Sequence, residues 1–80
     1  MSTSIKERIL QVMATVLETE VATLNENSSS DTIEAWDSLK HLTLILALEE
    51  EFAISIPDEE VGELVNYKLI EITLHEQLGN

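Results

Sequence analysis

Three segments of this chain combine helical spacing of apolar residues with a capping residue at the start, and this combination restricts the fold most. Ser4 precedes the first segment and Glu7 follows three residues later, which is the spacing of a capping box. Asp37 and Asn66 are N-cap candidates for the other two segments. A chain of 80 residues has room for one small core. The sequence therefore predicts an all-α fold, a small four-helix bundle, and a single domain over residues 1–80.

The predicted elements are three main helices and one short helix, with a long loop between the first two. Their bounds are about 5–18, 38–51, 58–64 (the short helix) and 67–78. Pro57 ends the segment before the short helix, and Gly79 provides the C-terminal stop of the last one. The polar stretch 25–31 predicts a loop, which we expect Leu24 and Ile33 to pin to the core.

The second main helix carries more apolar surface than one buried stripe requires. On a helical wheel, its predicted core face is Leu42, Ile45, Leu48 and Phe52, and its predicted solvent face is Lys40, Thr43, Ala47, Glu50 and Glu51. Leu39 and Leu46 fall between these faces, where ordinary packing and contact with a partner are both open. In the last helix, Ile70, Leu74 and Leu78 form the predicted inner face.

The net charge of the chain indicates which classes of partner it can bind. Sixteen acidic residues oppose four basic ones, for a formal net charge of −12. Such a chain repels nucleic acid and anionic membranes and attracts proteins with basic surfaces, although acidity also serves solubility.

The chain has no cysteine, no secretory start and no apolar run of membrane-spanning length. We expect a cytoplasmic, monomeric protein that binds no nucleic acid and does not insert into membranes.

Metal and catalytic motifs are missing from the sequence. His41 and His75 are far apart and form no HExxH motif, which argues against zinc, and we expect His41 to be packed and hydrogen-bonded. A calcium loop starting at Asn25 fails because Ser30 stands where glycine is needed and Trp36 where glutamate is needed. We expect Trp36 to anchor the approach to the second main helix. The sequence predicts no enzyme activity, no catalytic residue and no metal site.

Ser38 admits two interpretations. As an isolated residue it is an ordinary first-turn serine. A modified hydroxyl there would be exposed on a rigid element, with a phosphate favoured by the helix N-terminus. The Asp37-Ser38-Leu39 motif is followed by the run 49–51, by Phe52 and by Ile-Pro-Asp at 56–58. In this combination the chain resembles the acyl carrier protein family over nearly its whole length.

The resemblance implies a function for Ser38. It would carry 4′-phosphopantetheine as a phosphodiester, attached from coenzyme A by a phosphopantetheinyl transferase, with Asp37 and Leu39 completing the motif. The arm would import the thiol that holds acyl groups as thioesters. The implied partner-binding residues are Leu39, Lys40, Leu46, Glu49 and Glu50, although the acidic ones also suit a solvated face. The implied acyl-pocket residues are Ile45, Leu48, Ile56 and Ile70, which are otherwise plain core. The implied partners are loading ligases, ketosynthases and acyltransferases with basic docking surfaces.

Two departures from the common fatty-acid-synthesis pattern bear on the pathway. Glu34-Ala35-Trp36 replaces a Leu-Gly pair before the motif, and Lys40 and His41 follow it where acidic or small residues are usual. A base beside the attachment point changes which basic partners dock well. We therefore favour a specialised fatty acid, polyketide or surface-polysaccharide pathway. The alternatives are an aminoacyl or peptidyl carrier loaded by an adenylating enzyme, and an unmodified acidic helical adaptor that binds proteins.

Overall fold

The computed structural model describes residues 4–79 and confirms the all-α fold. Its helices are α1 (Ile5–Leu17), α2 (Ser38–Phe52), α3 (Asp58–Val61) and α4 (Tyr67–Gln77), with a 3-10 turn at Val21–Thr23. Within residues 4–79 the only β-type pairing is an isolated bridge between Ser29 and Asn66. Residues 1–3 and 80 of the predicted domain lie outside the described residues. In residues 4–79, no helix combines the length and apolar composition needed to cross a membrane.

The three predicted helix caps are confirmed. Side-chain oxygens of Ser4, Asp37 and Asn66 each accept a hydrogen bond from the backbone N–H three residues later, at 3.1, 2.8 and 2.9 Å. Each bond satisfies one of the free donors in a first helical turn. Gly79 has a φ of 81° after α4, which confirms it as the stop. The short helix α3 ends at Val61, three residues before its predicted end.

One apolar core joins the helices and the loop. Its fully buried members are Ile9, Met13, Leu17, Leu44, Leu48, Tyr67, Ile70 and Leu74. Leu24 is buried and Ile33 packs against the same core, so the predicted pinning of the loop is confirmed. Trp36 is buried just before α2 and anchors the approach to that helix, also as predicted.

The predicted orientation of α2 is wrong in part. Leu42, assigned to the core face, is 55% exposed, whereas Leu44, assigned to no face, is 0% exposed. Ala47, assigned to solvent, is half-buried and lines a groove shared with α1. Lys40 is also half-buried because its ammonium contacts Glu18 at the end of α1. The cause is packing: α2 is apolar on several sides, and its contact with α1 decides which side is buried.

The predicted inner face of α4 also needs one correction. Ile70 and Leu74 are buried, but Leu78 is 37% exposed because α4 ends at Gln77 and Leu78 forms its C-cap. Tyr67 and Thr73, which were not predicted, are buried on this helix instead.

Candidate functional site

Ser38 is the first residue of α2, and it is exposed. The carboxylate of Asp37 accepts the Lys40 N–H, which fixes the turn on which Ser38 lies. The backbone N–H groups of Ser38 and Leu39 have no intrahelical partner, as in the first turn of any helix. The Ser38 hydroxyl is therefore accessible, rigidly held and close to the positive end of the helix dipole.

Ser38 lies on an open groove of about 580 Å³ between the start of α2 and the link from α3 to α4. The groove is lined by Ser30, Trp36, Asp37, Ser38, His41, Leu42, Val61, Gly62 and Val65. Leu42 and Val61 also line a second open groove, of about 420 Å³, which extends along α2 to Ile56. The two grooves form a largely apolar surface path that begins at Ser38.

Trp36 and His41 form a hydrogen-bonded aromatic pair in the first groove. The Trp36 Nε1–H donates to His41 Nδ1 at 3.0 Å, and the two rings stack with centroids 6.1 Å apart. Because the indole nitrogen can only donate, His41 Nδ1 must accept. The proton of the neutral ring is then on Nε2, which donates to the Val61 carbonyl oxygen at 2.6 Å. The prediction that His41 is packed and hydrogen-bonded is confirmed.

The predicted acyl-pocket residues lie in two different places. Ile45 and Ile56 are buried and line the second groove along α2. Leu48 and Ile70 lie deeper, in the packed core, and line neither groove. The structure thus brings two of the four residues to the path that begins at Ser38 and leaves the other two buried in the core.

Three exposed leucines form a stripe on α2. Leu39 and Leu46 are 73% and 65% exposed, and Leu42 lies between them. Sequence reasoning included Leu39 and Leu46 among the partner-binding residues but placed Leu42 in the core. The spacing of the three, i, i+3 and i+7, is that of a single helix face and could have identified Leu42.

The predicted charged partner residues differ in their surroundings. Lys40 Nζ lies 2.7 Å from Glu18 Oε2, and this hydrogen bond and the positive charge hold the Glu18 pKa below its usual value. The Glu49 carboxylate accepts the backbone N–H of Ile56 at 2.6 Å. Glu50 is exposed. Two of the three charged residues therefore have intramolecular contacts of their own.

Metal binding finds no support in the described part of the chain. No group of three or more histidine, aspartate or glutamate side chains within residues 4–79 is arranged to hold a metal ion. Both ring nitrogens of His41 are occupied by Trp36 and Val61.

One curated protein provides an informative comparison, although no protein-family model matches the sequence. The chain is 41% identical over 68 residues to a Clostridium acetobutylicum protein named acyl carrier protein. The matched region covers 76% of this chain and 87% of that relative. The similarity therefore extends over most of both proteins.

Proposed function

The chain belongs to the acyl carrier protein family, and we propose that it carries acyl groups on a 4′-phosphopantetheine arm attached to the Ser38 hydroxyl. As a member of this family it is a carrier and not an enzyme. The arm supplies a thiol, which this cysteine-free chain lacks, so that an acyl group can be held as a thioester. The observation that carries the proposal is the exposed Ser38 on a capped helical turn beside the groove.

The residues around Ser38 fit a phosphodiester. Its hydroxyl is exposed to an approaching transferase. The free N–H groups of Ser38 and Leu39 and the positive end of α2 favour a negative group at this position. Asp37 accepts the Lys40 N–H and so keeps the turn in shape. Lys40 directs its ammonium toward Glu18 and leaves the face around the hydroxyl open.

The surface path offers room for the arm and its cargo. An apolar cargo that follows the path meets Ile45 and Ile56 at the wall of the second groove. Leu48 and Ile70 line neither groove and are buried in the same core cluster as Ile45 and Ile56. A cargo can contact them only if the helices that bound the groove move apart.

Partner enzymes dock on α2 in this proposal. The leucine stripe provides an apolar contact surface, and the exposed Glu50 provides charge for a basic rim. The partners are the phosphopantetheinyl transferase and then loading ligases, ketosynthases or acyltransferases. The pathway is a specialised fatty acid, polyketide or surface-polysaccharide pathway in this proposal, because Lys40 and His41 follow the motif where acidic or small residues are usual.

Two alternative functions fit parts of this surface. The same serine, turn and groove suit an aminoacyl carrier that is loaded by an adenylating enzyme. The exposed leucine stripe on an acidic protein also suits an unmodified adaptor. Modification of Ser38 separates the adaptor from both carriers, and the identity of the cargo separates the two carriers.

Intact mass after incubation with coenzyme A and a broad-range phosphopantetheinyl transferase tests the proposal. We expect the wild-type protein to gain the mass of one phosphopantetheine and Ser38→Ala to gain none. Ser30→Ala is the matched control, because Ser30 lines the same groove and should leave the mass gain intact. A folded wild-type protein that gains no mass would contradict the proposal and favour the adaptor.

A further inference from the structure

Two hydrogen bonds connect three separate segments around Ser38. Trp36 lies in the loop before the serine, His41 in the first turns of α2, and Val61 at the end of α3. Trp36 donates to His41, and His41 donates to the Val61 carbonyl. All three residues line the groove on which Ser38 lies. The two hydrogen bonds therefore link the turn that carries Ser38 to α3, and the residues that make them form part of the groove wall.

The short helix α3 has few other anchors. It spans four residues, none of them buried, and its N-cap Pro57 makes no side-chain capping bond. Its flanks are buried at Ile56 and Leu64, and within the helix Val61 is half-buried and packs against the core. Within residues 4–79, the bond from His41 is the only side-chain hydrogen bond that reaches α3. The bond from His41 therefore adds a polar anchor to the apolar contact that Val61 makes with the core.

Trp36 determines how His41 can act. A neutral imidazole carries one proton, and its second nitrogen must accept. The indole N–H of Trp36 occupies Nδ1 as a donor, so the proton is kept on Nε2, where it faces the Val61 carbonyl. The other neutral tautomer would place two acceptors against each other at Val61 and two donors against each other at Trp36. Trp36 therefore acts through His41 on α3.

We propose that Trp36 and His41 are positioning residues that clamp α3 against the attachment turn and so decide where cargo on Ser38 lies. With the clamp closed, cargo lies along the surface path. With the clamp released, α3 moves away and cargo reaches Leu48 and Ile70 in the core. This inference rests on the proposed function, because it concerns cargo attached at Ser38.

Hydrogen exchange in the unmodified full chain tests the clamp directly. His41→Phe keeps a flat ring but loses both hydrogen bonds, and we expect the amides of Glu60 and Val61 to exchange about fivefold faster or more. His41→Gln keeps one acceptor and one donor and should restore part of the protection. His75→Phe is the control, since His75 lies on α4 and lines neither groove. Unchanged exchange in His41→Phe would overturn the clamp.

Trp36→Phe tests the role of Trp36 through the tautomer of His41, which would not change if Trp36 only filled space in the fold. It removes the donor to Nδ1 while keeping an aromatic ring, and we expect nitrogen NMR of the His41 ring to show a mixture of tautomers. The wild-type ring should show the Nε2–H form alone. A variant that keeps the wild-type tautomer and wild-type exchange would contradict the role of Trp36. If His41→Phe does not fold by circular dichroism, Trp36→Phe carries the exchange test.

The cargo part is tested with an octanoyl thioester as the probe. The wild-type, His41→Phe and His75→Phe proteins are loaded from octanoyl-coenzyme A by the transferase, and cleavage of the thioester by hydroxylamine is timed. We expect slower cleavage in His41→Phe, because released cargo is sheltered in the core. Failure of the wild-type protein to take up the arm would overturn the proposed function, and the cargo step with it. Uptake with equal cleavage rates in all three proteins would overturn the clamp's control of cargo alone.

Discussion

The carboxylate of Glu49 accepts a hydrogen bond from the backbone N–H of Ile56 at 2.6 Å. This bond ties the last turn of α2 to the link before α3, across Ala53, whose φ of 56° lies in the left-handed region. The accepting group is charged and half-buried, which makes the bond stronger than a neutral one. Glu49, which the sequence predicts as a partner contact, therefore holds the exit of α2 in shape.

Replacing Glu49 should lower the free energy of unfolding, whereas replacing the neighbouring Glu50 should not. We expect Glu49→Ala to lower the free energy of unfolding by about 1–2 kcal/mol, because the Ile56 N–H loses a charged acceptor. Glu50→Ala, at an exposed position, should change it by less than about 0.5 kcal/mol. Urea unfolding followed by the fluorescence of the single tryptophan measures both. Equal losses in the two variants would contradict the structural role of Glu49.

The orientation of α2 is tested by two leucines. Leu44 is fully buried and Leu42 is exposed. We expect Leu44→Ala to lower the free energy of unfolding by about 2–5 kcal/mol, because it opens a cavity in the core. Leu42→Ala should cost less than about 1 kcal/mol. Thermal and urea unfolding of both variants provides the comparison, and a larger loss for Leu42→Ala would restore the helical-wheel assignment.

The helix starts could be predicted because their cause is local. Ser4, Asp37 and Asn66 each cap an N–H only three residues away, so the chemistry is visible within one turn of sequence. The end of α3 was missed although a signal existed. Gly62 lay inside the predicted short helix and is its C-cap in the structure.

The buried side of α2 could not be predicted because its cause is distant. Leucines cover several sides of this helix, and the neighbouring helices decide which of them are buried. The groups that accept from His41 and Lys40 are equally remote, since Val61 and Glu18 lie 20 and 22 residues away in sequence. The sequence therefore predicted that His41 is packed and hydrogen-bonded, but it could not identify Val61 as the acceptor. The role of Ser38 came from resemblance to a family, and it stays a prediction.

The single tyrosine should make stability fall in alkaline solution. Burial and the hydrogen bond to Glu71, at 2.8 Å, raise the Tyr67 pKa above its usual value. The folded state therefore holds the phenol proton more tightly than the unfolded state, whose pKa is about 10. The stabilisation that comes from protonated Tyr67 is complete below about pH 10 and is lost as the pH rises beyond it. Urea unfolding above about pH 9 should show this loss in the wild-type protein and not in Tyr67→Phe. An equal fall in the free energy of unfolding with pH in both proteins would contradict this role of Tyr67.

The contact between Lys40 and Glu18 should be visible in a titration. Lys40 lowers the Glu18 pKa through a hydrogen bond and its charge, so the pair stabilises the fold above the pKa of unfolded Glu18. That stabilisation disappears as the pH falls through the lowered value. In Lys40→Gln we expect the Glu18 pKa, measured by carbon NMR of its carboxyl, to rise toward normal. Lys68→Gln, an exposed change on α4, is the control and should leave it unchanged. A Glu18 titration unaffected by Lys40→Gln would contradict the contact.

Docking on the leucine stripe can be separated from folding by matched exposed side chains. Leu46 on α2 is 65% exposed and Ile72 on α4 is 55% exposed, so truncating either should change stability by less than about 0.5 kcal/mol. The proposed interface includes only Leu46. We therefore expect Leu46→Ala to raise the KM of the phosphopantetheinyl transferase severalfold with little change in kcat, because lost uniform binding affects KM. Ile72→Ala should leave both constants unchanged. Equal effects of the two variants would place the transferase on another surface or show that apolar exposure anywhere on the protein weakens the reaction.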